Sequence, residues 1–278
     1  MTGPVSARLP GGRLHLQHGP IDLVIGADGA REAAFKAAEH RFATVLQELV
    51  PELPLLRAPV GPPLDTSIAR RMRTACAPHA ASGFVTPMAA VAGAVADDVL
   101  AAMCAAADLR RAYVNNGGDI ALHLAPGTLF RAAMAGLEGS ALGQIEVTAA
   151  DPIRGIATSG QGGRSLSLGL ADSVTVLAGT GAAADVAATL IANAVDLPAH
   201  PEVRRTPACE IDPDTDLGHR AAVTHVGTLS AGEVGRALAS GAARAREMLR
   251  SGLIHAAALH LRGQTTTVAL PESQLADA

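Results

Sequence analysis

Between residues 12 and 26 the chain reads GRLHLQHGPIDLVIG, in which Leu14 and Leu16, then Ile21, Leu23 and Ile25, alternate with other residues on either side of Gly19-Pro20. A period of two around a turn dipeptide predicts a hairpin over 12–26. In 30–49 the pattern changes: Phe35, Ala38, Phe42, Val45, Leu46 and Leu49 recur at three- and four-residue spacing until Pro51 and Pro54 interrupt it, which predicts a helix. The stretch LPLLRAPVGPPLD reads as a loop by its prolines. Thr86 before Pro87 is a helix start, and the helix is expected to run to about residue 108. Strand, glycine turn and strand follow in AYVNNGGDIALHL, with further strands in LFRAAMAG, GQIEVTA, GIATS and SVTVLA. A second strong helix covers 182–195, and a third opens with Ser230 and Glu233 in capping-box spacing and ends near Gly252. Strands in LIHAAALHLR and TTTVAL complete the pattern. Elements that come in blocks rather than in regular alternation predict an α+β fold, a layered mixed or antiparallel sheet with packed alanine-rich helices. No repeat or low-complexity linker divides residues 1–278, so one domain is expected, with a core at 84–195 and a closing helix and strands at 230–270.

Composition sharpens this picture. Apolar residues make up 49% of the chain and aromatics 2%, with no Trp, so the core must be built from Ala, Val, Leu and Ile. A formal charge of -4, with one Tyr and four Phe, provides neither an attracting field nor stacking platforms for nucleic acid, which is excluded as a partner. Cys76, Cys104 and Cys209 form no C-x-x-C pair and fit a reducing compartment. The opening residues lack the apolar run of a signal peptide. The stretch PMAAVAGAVADDVLAAMCAAA carries Asp97 and Asp98 in mid-span and reads as a buried helix, not a membrane span, so a cytoplasmic location is expected. SARLPGG and PESQLADA are expected to be loose termini.

In the helix AAADVAATLIANAVD, Asp185, Thr189 and Asn193 stand four residues apart in otherwise apolar surroundings. Positions i and i+4 share a helix face, so the carboxylate and hydroxyl form a hard-oxygen pair suited to Mg²⁺. The same residues also fit a plainer role, Asp185 favouring the helix dipole and Thr189 bonding back to its own helix.

Three segments in fixed order, VNNGGDI (114–120), IATSG (156–160) and ADVAAT (184–189), resemble signature pieces of the ApbE-like superfamily, best known for FAD:protein FMN transferases. The segment AAVAGAVAD (89–97) is similar to the family's helix before the glycine motif, with Gly93 and Asp97 at matching places. The resemblance implies an ApbE-like fold in which Asp185 and Thr189 hold Mg²⁺, joined by a backbone carbonyl near Val91. It also implies that Asn115, Asn116, Gly117, Gly118 and Asp119 line a flavin-nucleotide pocket and that Thr158, Ser159 and Gly160 lie beside the flavin, FAD or FMN. Glycines let backbone N–H groups approach such a ligand closely.

The chain also departs from the transferase pattern. A His-rich segment is missing after the T-S-G, no His occurs between His123 and His200, and Ala92 stands where the family has Lys. Two functions follow as expectations: a Mg²⁺-dependent enzyme acting on a flavin nucleotide or another phosphate-bearing metabolite, or a binding protein that keeps the cleft without the transfer chemistry. A third is a subunit whose alanine-rich helices pack against a partner, and a homo-oligomer is compatible with all three. GGRSLSLG fits either a phosphate loop using Arg164 and Ser165 or an exposed turn. His219 and His225 lack metal-ligand spacing and are expected to be satisfied or exposed, and Cys104 to serve packing.

Overall fold

The computed structural model describes residues 3–135, 141–163 and 165–269. Arg164 and the predicted loose C-terminus, PESQLADA, lie outside them. The chain divides into two compact units, the first made of residues 1–132, 144–157 and 178–186, the second of 133–143, 158–177 and 187–278.

The first unit opens with β1 (Val5–Leu9), β2 (Arg13–His18) and β3 (Ile21–Gly29), followed by the helix α1 (Arg31–Leu49). Leu14 and Leu16 on β2 and Leu23 and Ile25 on β3 are buried, so the alternation forms the core face that was expected of it. SARLPGG is not loose: β1 pairs antiparallel with β2, from Val5↔Gln17 to Leu9↔Arg13. Its side chains are nearly all exposed, so no hydrophobic pattern marked it. In the proline-rich stretch a short helix α2 (Leu53–Leu56) forms in place of pure loop, since proline is tolerated in a first helical turn. A further helix, α3 (Ser67–Cys76), is capped by Thr66, whose hydroxyl accepts the Ala69 N–H at 3.3 Å.

Residues 87–90 form a 3-10 turn that leads into α4 (Val91–Ala106), where Thr86 occupies the cap position without its side chain making the bond. Strands β4 (Leu109–Asn116) and β5 (Asp119–Leu124) form the expected hairpin, and β6 (Leu129–Ala135), β7 (Ala141–Thr148) and β8 (Gly155–Ser159) follow. The sheet order in this unit is β1-β2-β3-β4-β5-β8, with antiparallel registers throughout. Helices α1 and α4 pack on each other, and α4 lies on β4 and β5. Phe35, Phe42, Val95, Val99 and Met103 are fully buried in that layer. One polar knot ties the helices: Asp98, 6% exposed, meets Arg41 at 2.5 Å, accepts the Ser67 hydroxyl at 3.0 Å and lies 3.4 Å from Arg71. The segment Pro87–Ala106 is long and apolar enough to cross a membrane by composition, but half of it is buried in the protein and this knot fixes it in a core.

The helix α5 (Gly181–Ala194) begins in the first unit and continues into the second. The second unit contains β9 (Ser173–Ala178), β10 (Val203–Pro207), the short α6 (Ala208–Ile211), β11 (Ala221–Val226), α7 (Ala231–Arg250), β12 (Ala256–Leu261) and β13 (Gln264–Ala269). Its sheet runs β9-β12-β13, antiparallel, under α7, while β10 and β11 pair separately with a bulge between Arg204 and Arg205. Antiparallel strands with segregated helices make an α+β fold, as the sequence predicts.

The capping box at α7 is complete, with the Ser230 N–H and hydroxyl both 2.8 Å from Glu233 and the Glu233 N–H 3.4 Å from Ser230 Oγ. His200 Nε2 lies 3.0 Å from Glu233, and this contact together with Ser230 holds the carboxyl down at about 2. A depressed carboxyl stabilises the fold above its ordinary 4.5 and loses that contribution as pH falls through about 2. Glu233→Gln is therefore expected to flatten the decline of stability between those pH values, measured by urea unfolding across an acid series.

Candidate functional site

The turn between β4 and β5 is two residues long, since Asn116 pairs with Asp119 across it. Gly117 and Gly118 take φ of 64° and 116°, the positive values that such a hairpin turn requires. Asn115 Oδ1 accepts the Gly118 N–H at 2.8 Å and stiffens the turn from below. Asn116, 4% exposed, donates from Nδ2 to the Ala92 carbonyl at 3.1 Å, which ties the hairpin to the first turn of α4. Asparagine at both positions thus has a structural reason before any ligand is considered.

At that first turn α4 meets the start of α5. Asp185, on α5, accepts the Gly93 N–H at 2.9 Å and a second backbone bond from Ala92, both near the start of α4. Asp97, on α4, accepts the N–H groups of Gly181 and Ala182 at 2.9 Å each, the opening residues of α5. Each helix therefore caps the other with an aspartate placed four residues beyond a glycine, in the matching strings GAVAD (93–97) and GAAAD (181–185). The glycines are required: a Cβ on Gly93 would overlap the Gly181 carbonyl, and one on Gly181 would stand 3.0 Å from the Gly93 oxygen and 3.1 Å from Asp97. Gly155 on β8 is as tightly placed against the Thr180 carbonyl, just before α5.

The electrostatics are unbalanced. Burial pushes the Asp185 carboxyl well up, the charges of Asp119 and Asp97 push it further, and the two backbone N–H groups pull it partly back. Asp97 is raised by burial against the opposing pull of the Ala182 and Gly181 N–H groups and the Arg71 charge. Helix N-termini favour anions, which is why carboxylates are tolerated there at all. The first unit thus brings together Asp97, Asp119, Asp185 and the asparagine-glycine turn.

The other predicted residues belong to the second unit. Thr158, exposed on β8, shares a 2.9 Å hydroxyl contact with Thr175, and Gly160 has a φ of 140° where a Cβ would crowd the Asp172 and Ala171 carbonyls. Ser159 precedes it at the strand end. Thr189, half-buried, stands one turn beyond Asp185 on α5. Asn193, the third member of the stripe, is taken by structure, its Oδ1 accepting the Leu168 N–H at 3.0 Å. Among the described residues no group of three or more His, Cys, Asp or Glu is arranged to hold a metal ion. The role of Asp97 as a cap was missed in the sequence, although the repeated G-A-x-A-D string was there to be read.

The family model described as AbpE bacteria matches residues 6–267. A UPF0280 protein of Methanothrix thermoacetophila is 39% identical over 186 residues, covering 64% of this chain and 75% of that protein. A UPF0280 protein of Methanosphaerula palustris is 34% identical over 191 residues, covering 66% and 77%. Among solved structures, the apo form of the flavinyl transferase ApbE of Pseudomonas stutzeri aligns over 95% of this chain and 93% of that one, with 13% identity and a TM-score of 0.48.

Gly93→Ala is expected to destabilise the protein by about 2–3 kcal/mol, the range for overpacking against an unyielding backbone. Ala94→Gly, one residue away, is expected to cost only about 1 kcal/mol through helix propensity. Thermal unfolding of the two variants makes the comparison.

Proposed function

The chain belongs to the family described as AbpE bacteria, in accord with the ApbE-like recognition of its motifs, and on that premise we propose that it binds a flavin nucleotide, FAD or FMN, or a related phosphate-bearing metabolite, together with Mg²⁺. The activity proposed is that of an FMN-transferase-like enzyme with a protein acceptor. The observation that carries this reading is the Asp185 carboxyl, held at the start of α4 by the Gly93 and Ala92 N–H groups with Asp119 and Asp97 adding like charge. A divalent cation relieves such an imbalance.

The donor set fits a hard cation. Asp185 offers a carboxylate and Thr189, a turn further along the same helix, a hydroxyl, while the remaining oxygens would come from water and phosphate, the coordination habit of Mg²⁺. Mg²⁺, when bound, would draw negative charge from a breaking phosphate bond. The chain's own contribution is positional: Asn116 fixes the glycine turn against α4, Asn115 shapes it by accepting the Gly118 N–H, and Gly118 leaves open space beside the turn for a ligand to approach the backbone. In the second unit, Thr158, Ser159 and Gly160 are assigned to ligand contact by the same resemblance.

A second reading, a nucleotide-binding protein without transfer chemistry, is favoured by one observation: no His occurs between His123 and His200, where the transferase pattern has its His-rich segment. Titration calorimetry tests the shared part. FAD is expected to bind only with Mg²⁺ present, and Asp185→Asn, which keeps an oxygen for the caps, is expected to weaken binding at least tenfold, about 1.4 kcal/mol, with an unchanged circular dichroism spectrum. No binding by the unaltered protein, or equal binding by the variant, contradicts the proposal. Covalent flavin on a threonine-bearing acceptor then separates enzyme from binder.

A further inference from the structure

The connection between β10 and β11 contains a pair of side chains that the proposed function does not use. Pro207 pairs with Ala221, the Ala208 N–H donates to the Arg220 carbonyl at 2.8 Å, and the Cys209 N–H donates to the Gly218 carbonyl at 2.9 Å. These bonds clamp the two ends of the connection together, and Gly218 turns the chain with a φ of 57°. Across the clamp, Cys209 Sγ lies 3.3 Å from His219 Nδ1, with Cys209 half-exposed and His219 exposed. At this separation an imidazole nitrogen is within reach of the thiol proton, the geometry that nucleophile–base pairs share.

The other two cysteines are placed differently. Cys76 is fully buried and its thiol donates to the Thr86 carbonyl at 3.3 Å. Cys104 sits half-buried on α4, where burial pushes its thiol up. Between Cys209 and His219 the chain carries Glu210, Asp212, Asp214 and Asp216, against one flanking cation, Arg220, whose guanidinium donates to the Leu217 carbonyl at 3.2 Å. Such a loop attracts a cationic reagent and repels an anionic one.

We propose that Cys209 and His219 form a thiol-exchange site that takes low-molecular-weight disulfides carrying positive charge. The Sγ proton passes to His219 Nδ1, and the thiolate attacks one sulfur of the disulfide. The Cys209–sulfur bond forms as the original sulfur–sulfur bond breaks, and the departing thiolate takes the proton back from the imidazolium. The product is a mixed disulfide on Cys209, which excess thiol reverses. This site is independent of the nucleotide-binding reading and stands if that reading fails.

The test treats the full chain with cystamine, which carries two ammonium groups, and separately with dithiodipropionate, its dicarboxylate counterpart. Rates are normalised to those of each reagent with a short unstructured cysteine peptide, and modified peptides are identified by mass spectrometry. Cys209 is expected to be modified first, cystamine to be favoured by about tenfold at low salt, and added salt to shrink that preference. His219→Gln is expected to slow Cys209 modification by about tenfold with the fold intact by circular dichroism. Cysteine modification led by Cys104, an unchanged rate in His219→Gln, or no preference between the two reagents would each overturn the proposal.

Discussion

Two helix N-termini meet in the first unit, and each is closed by an aspartate from the other. Helices leave their first N–H groups without partners, and an N-terminus inside a protein must find acceptors for them. Here Asp97 supplies those acceptors to Gly181 and Ala182, and Asp185 supplies them to Gly93 and Ala92. The close approach exists because each helix carries a glycine in its first turn at the crossing, Gly93 on α4 and Gly181 on α5. The hairpin turn inherits its position from the same point, since Asn116 holds the Ala92 carbonyl.

This arrangement also creates the chemistry. Carboxylates used as caps are drawn toward positive helix ends, but burial and the neighbouring Asp119 leave Asp185 with its carboxyl raised well above the ordinary range. A structural device and the proposed cation ligand thus occupy one side chain. The plain reading of Asp185, a residue that answers a helix dipole, holds in altered form, because the dipole it answers is that of α4 rather than of its own helix.

Much of the architecture was legible wherever one signal dominated. The alternation at Leu14–Ile25, the α1 stripe of Phe35, Ala38, Phe42 and Val45, and the Ser230–Glu233 capping box each predict what forms. The missed elements have no such signal or a concealed one. β1 is exposed along nearly its whole length, and β10 is a short, arginine-bearing strand with a bulge. The helix α3 carries Ile68, Ala69, Met72 and Cys76 at helical spacing, but it is only ten residues long and directly follows the proline-rich stretch. At the site, the glycine turn was readable from VNNGGDI alone, whereas the reciprocal caps join residues more than eighty positions apart, a distance over which periodicity carries no information.

The two caps form one cooperative crossing rather than two separate bonds. A double-mutant cycle on Asp97→Ala and Asp185→Ala, read by urea unfolding, tests it most directly. Each single change is expected to cost about 1–2 kcal/mol, with a coupling of at least about 1 kcal/mol between them, because losing one cap already loosens the crossing that the other requires. Losses that add to within about 0.5 kcal/mol would contradict it.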